Sequence, residues 1–125
     1  MADEITITVS GSLVNGLLKR TYAPGAAQVD QAAKKRSGHS QDLTTSWEAV
    51  DLEDVTTGFV FLTNLDATNA VEFGPLEAGS GGDGLSFGIL TAGDPPACFH
   101  LKTGVTLMVK AAAATATVDV ECWSI

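Results

Sequence analysis

Hydrophobic positions along the second half of the chain recur with a period of two and are broken by polar turns about every ten residues. Gly58 to Leu65 is apolar at nearly every position, as a strand covered on both faces must be, whereas Ala70 to Gly74 alternates Val71 and Phe73 against Glu72. The intervening Asp66, Ala67, Thr68 and Asn69 supply turn chemistry. Trp47 to Leu52, Leu85 to Leu90, Ala97 to Lys102, Val105 to Lys110 and Thr115 to Trp123 read as further strands. They are separated by Asp54–Gly58, Glu77–Gly84, Ala92–Pro96 and Thr103–Gly104, where Gly, Pro, Asp or Ser lets the backbone reverse. Four alanines at 111–114 are too few to nucleate a helix and read as a turn or a closely packed strand end.

The leading segment is less regular. Ile5, Ile7 and Val9 alternate with Thr6 and Thr8, a β-branched strand with one apolar face. Leu13 to Leu18 carries Asn15 and Gly16, which predicts a tight turn between short strands, and Pro24–Gly25 predicts another. Residues 26–35, rich in Ala, Gln and Lys, are the one place where helix competes with strand. Arg36 to Asp42 is polar with nothing to bury and reads as a loop. The expected fold is all-β, an antiparallel β-sandwich or jelly-roll-like barrel with an extended N-terminal segment. Residues 1–44 form the strand, arm and loop segment, and residues 45–125 form the sandwich body.

Length and charge narrow the function. A chain of 125 residues supports one core. Its net charge of −8 and pI near 4.4 argue against a nucleic-acid partner, because an acidic body repels phosphate. The charge is uneven: residues 1–36 sum to +2 and residues 37–125 to −10, so the leading segment is electrostatically suited to an acidic neighbour. With no basic stretch followed by an apolar run at its start, and no run of about 18 apolar residues, neither secretion nor membrane insertion is expected. Alternation places Cys98 on the outer face of its strand and Cys122 on the inner face of another, so the two are expected as free thiols, at home in a reducing cytoplasm.

Nothing along the chain assembles a reaction centre. His39 and His100 lack a second His or Cys at ligand spacing. Asp51, Glu53 and Asp54 lack the calcium-loop pattern, and Gly79 to Gly84 lacks the lysine and hydroxyl of a phosphate loop. Cys98 has only His100 as a neighbouring cue, and no nucleophile elbow is present. Trp47 and Trp123 are expected as core or interface aromatics, or else as platforms for sugar rings. The chain is therefore expected to be no enzyme, with no catalytic, cofactor or metal site.

Thr45 to Gly58, Phe61 to Gly74 with its Asn64–Asn69 turn, and Phe99 to Ala111 with Leu101, Gly104, Val105 and Thr106 in order give the chain a resemblance to a family of small structural proteins of tailed bacteriophages. The resemblance covers roughly residues 45–125 and rests on elements of fold rather than of chemistry. It implies a virion component made in the host cytoplasm and carried on the capsid surface, a decoration or cement protein that binds the major capsid protein or other virion proteins. It also implies a homo-oligomer, with a trimer favoured. The alternative is a fibre, neck or tail component, or a glycan- or receptor-binding module. The expected partner-binding residues are Ile5, Ile7, Val9, Leu13, Leu17, Lys19, Arg20 and Tyr22, joined by Lys34, Lys35 and Arg36.

Overall fold

A computed structural model describes residues 5–31 and 35–125. The chain divides into two compact units, one comprising residues 1–33 with Ile125 and the other Lys34–Ser124. The described residues form strands and no helix, so the all-β reading holds.

The first unit is a two-stranded ribbon. β1 (Ile5–Thr8) pairs antiparallel with β4 (Ala26–Val29), from Ile5 opposite Val29 to Thr8 opposite Ala26. The alternating β-branched residues of β1 prefer this extended pairing, and it takes the Ala- and Gln-rich start of the 26–35 segment into strand. The helical alternative there is thus corrected over 26–29 by cross-strand hydrogen bonding, while residues 32–34 lie outside the described residues. β2 (Gly11–Asn15) and β3 (Leu18–Tyr22) continue the ribbon as a hairpin whose pairs run from Gly11 opposite Tyr22 to Asn15 opposite Leu18. Gly16 takes φ of 57° at the first turn position, which a side chain would resist, so the two-residue loop is Gly16–Leu17, one residue on from the turn expected at Asn15–Gly16, with Asn15 paired to Leu18. Residues 9–10 face 23–25 across the join, so one extra residue on the returning strand shifts the register between the two halves.

The second unit is the sandwich. One sheet has the order β10 (Ala97–Leu101), β7 (Gly58–Asn64), β12 (Ala116–Ser124), β5 (Arg36–Leu43). The other has the order β6 (Glu48–Ala49), β11 (Leu107–Ala111), β8 (Val71–Pro75), β9 (Gly88–Leu90). All pairs are antiparallel. Leu43, Val60, Leu62, Val118, Val120 and Cys122 of the first sheet share one core with Val71, Phe73, Leu90, Val109 and Ala111 of the second. The strict burial alternation along β7 and β12 is the period-two pattern read from the sequence.

Three expectations are corrected. Arg36 to Asp42 is not a loop: β5 pairs with β12 over eight positions, from Arg36 opposite Trp123 to Leu43 opposite Ala116, and buries Ser37 and Leu43. The body therefore begins near residue 34 rather than 45. The strand expected from Trp47 to Leu52 is paired only at Glu48 and Ala49. The Leu101 to Thr106 turn, which resembles a hairpin, joins no paired neighbours, because β10 and β11, like β7 and β8 around the Asp66–Asn69 turn, belong to opposite sheets. Within the body, β8 and β9 are the successive strands that pair with each other.

Candidate interaction surfaces

The ribbon's outer half offers side chains and buries none. Every residue of β2 and β3 is exposed, including Lys19 and Arg20. Leu17 at the turn is fully exposed, and Val9, Leu13, Val14, Leu18 and Tyr22 are all more than 45% exposed, with Tyr22 at 63%. The pairing places Leu13, Leu18, Arg20 and Tyr22 on one face and Val14 with Lys19 on the other. Ile5 is buried and Ile7 half-buried. A two-stranded hairpin with no covered face is marginal in water, and this one carries exposed apolar surface.

The body's two long sides differ. Between β5 and β6 the sheets are stitched together. The Gln41 amide donates to the Ala49 carbonyl at 3.1 Å and accepts from the Asp51 N–H at 3.1 Å, and the Ala111 N–H donates to the Thr44 carbonyl at 2.8 Å. On the side where β9 and β10 end their sheets, the sandwich opens instead into an apolar cleft of about 430 Å³ lined by β8, β10 and β11. Phe73 of β8 and Phe99 of β10 lie parallel across it with centroids 6.0 Å apart, above Leu101, Val105 and Leu107. Phe87 stands at its mouth, 83% exposed, with Leu85 and Ile89 exposed beside it.

Gly74 lets the chain come close at this edge. The backbone of Leu85 to Phe87 lies so close to β8, through the Leu85 N–H to Pro75 carbonyl bond at 2.8 Å and the Phe87 N–H to Phe73 carbonyl bond at 2.9 Å, that a Cβ on Gly74 would strike the Leu85 carbonyl. The loop before it is pinned by Ser80, whose hydroxyl donates to the Glu77 carbonyl at 2.7 Å and accepts from the Asp83 N–H at 3.0 Å. The Gly79 to Gly84 segment is thus a self-bonded hairpin loop.

The remaining candidates have other employment. Lys35 pairs with Asp54 at 3.3 Å, and the Arg36 guanidinium donates to both Glu121 carboxylate oxygens, so these two expected docking cations are engaged within the body; Lys34 lies outside the described residues. Desolvation works against the charged Glu121, yet the hydrogen bonds from Arg36 and from the Trp123 indole outweigh it and hold its pKa below the ordinary value. Asp51 accepts from the Glu53 N–H at 2.9 Å, and Glu53 stands 3.6 Å from His39, so the acidic segment is a turn folded on itself. Among the described residues no group of three or more His, Cys, Asp or Glu could hold a metal. His100 is exposed and packs on Phe59, with ring centroids 5.2 Å apart.

Trp47 and Trp123 lie on opposite outer faces of the sandwich. The first sits 5.0 Å from the Lys110 ammonium, and the second is tilted onto Phe61 at 4.6 Å, so they form no common platform. Cys98 shares its face with Phe61 while Cys122 points into the core, and both are free thiols. Burial, helped by Glu121, pushes Cys122 up to about 11.

No family model matches the chain, and no curated protein matches it. A solved structure described as "Bacillus endospore appendages form a novel family of disulfide-linked pili" is similar over 100% of this chain and 96% of that chain, with 11% identity and a TM-score of 0.45. A likeness of that size carries no argument about function.

Proposed function

We propose that this chain is a non-enzymatic structural protein of a bacteriophage particle that binds and stabilises the capsid as a decoration or cement protein. The observation that carries the reading is the β2–β3 hairpin: ten strand residues, all exposed, with Leu13, Leu18 and Tyr22 on one face beside Arg20. A soluble protein seldom maintains such a ribbon unless a neighbour covers it, and apolar surface joined to strand edges is the chemistry of β-augmentation rather than of turnover. The acidic body suits the solvent side of a particle, where its charge opposes aggregation. Local threefold positions on a shell favour three copies, as the family resemblance implies.

Co-sedimentation with empty shells of the phage that encodes the chain tests this. The full chain is expected to saturate the shells and to raise the temperature at which they rupture. The Leu13→Asp, Tyr22→Asp double variant, altered only at exposed positions, should bind at least about tenfold more weakly. If the unaltered chain leaves shells bare, the reading is wrong, and binding to a glycan array without shell protein would replace it with the receptor-binding alternative.

A further inference from the structure

We infer that the neighbour receiving the ribbon is a second copy of this chain, whose cleft beneath the β9 and β10 edges, lined by β8, β10 and β11, takes the β2–β3 hairpin. This deepens the reading above and rests on it. Each chain carries one surface of each kind: an exposed hairpin with free strand edges, and an apolar cleft flanked by two strands that each pair on one side only. The dimensions agree, since β3 spans five residues, about 17 Å of extended chain, and the edge beside it, Leu85 to Leu90 hydrogen-bonded along β8, spans six.

The charges agree as well. Residues 5–29 contain Lys19 and Arg20 and no acid, whereas residues 71–96, which form the β8–β9 side of the cleft, contain Glu77, Asp83 and Asp94, with Glu72 already paired to Lys110 at 3.5 Å, and no Lys, Arg or His of their own. Lys102, just after β10, lies on the opposite rim, which favours seating along β9. In that seat the hairpin extends the β6–β11–β8–β9 sheet, Leu13 and Tyr22 cover Phe87 and the Phe73–Phe99 pair with Arg20 beside them, and Lys19 stands on the opposite face of the extended sheet. A hairpin-to-cleft contact uses two different patches, so it repeats from copy to copy, and neighbours on a shell become linked in series.

Sedimentation of the purified chain without any shell protein, over about 1 µM to 1 mM, reads this directly. The mass should grow with concentration. Leu13→Asp in the hairpin and Phe87→Asp in the cleft, both at exposed positions, should each raise the dissociation constant at least about thirtyfold with unchanged melting temperatures. Mixing the two variants should then restore a heterodimer, because the Phe87→Asp chain keeps an intact hairpin and the Leu13→Asp chain an intact cleft. A chain that stays monomeric throughout overturns the inference while leaving shell binding to be judged on its own. So does oligomerisation that survives both substitutions, or a mixture that fails to recover. A monomer whose Phe87→Asp variant alone loses shell binding would assign the cleft to a segment of the shell protein instead.

Discussion

At the level of single residues, the corner after β7 depends on Asn64. Its side chain is buried on the core face, where the amide donates to the Asn69 carbonyl at 2.8 Å and the Leu90 carbonyl at 2.9 Å and accepts from the Asp66 N–H at 2.9 Å. One residue thereby ties the sheet-crossing turn to β9 in the opposite sheet. Asn64→Ala strands two carbonyls in a site without a replacement donor, so a loss of about 2–4 kcal/mol is expected. Thermal unfolding should show it as a fall of roughly 10 °C. Next to it, Asp66 accepts from the Asn69 and Thr68 N–H groups at 2.6 and 2.8 Å, and these bonds hold its carboxyl below the ordinary value of 3.8. Because the folded pKa lies under the unfolded one, its contribution is complete above 3.8 and is lost as the pH falls through the folded value. Asp66→Asn keeps an oxygen acceptor but cannot titrate. The stability difference between the two proteins, measured by denaturant melts, should therefore be present at neutral pH, shrink as the pH falls below 3.8, and vanish once Asp66 is protonated in the folded state as well.

At the level of elements, local pattern was informative wherever burial itself alternates, and silent where a partner strand decides. β7, β8 and β12 were legible because Val60, Leu62, Val71, Phe73, Val118 and Val120 point inward at every second position. β5 was not, because its inward residues are Ser37, His39 and Gln41 before Leu43, and what makes it a strand is the row of eight partners on β12 some eighty residues away. The same blindness explains the turns. Alternation before and after Asp66 is identical whether the chain reverses within one sheet or crosses to the other, and only the non-local pairing distinguishes them. Of the interaction surfaces, the hairpin was legible from Asn15–Gly16 and its exposed Leu, Lys and Arg residues. The cleft was not, since Phe73, Phe99 and Phe87 come from three separate strand-like segments whose approach no local pattern shows.

At the level of the whole molecule, charge acts in two opposed ways on the association proposed between copies, and distance decides which prevails. Copies each carrying a net −8 repel one another over long range, while Lys19 and Arg20 attract the acidic β8–β9 edge only at contact. For centres about 40 Å apart in water the repulsion is about 7 kcal/mol unscreened. It falls to about 2 kcal/mol at 0.01 M salt, where the Debye length is about 30 Å, and is negligible at 0.15 M, where it is about 8 Å. The contact attraction is screened much less, and the apolar part of the interface hardly at all. Self-association should therefore strengthen by about tenfold or more as salt rises from 0.01 to 0.15 M, opposite to the sign expected if basic hairpin and acidic cleft acted alone. Lys19→Glu with Arg20→Glu makes both the long-range and the contact terms repulsive, so that variant should associate more weakly at every salt concentration. Sedimentation across a salt series checks both, and monotonic weakening of the unaltered chain from 0.01 M upward would show that contact charge, rather than net charge, governs the encounter.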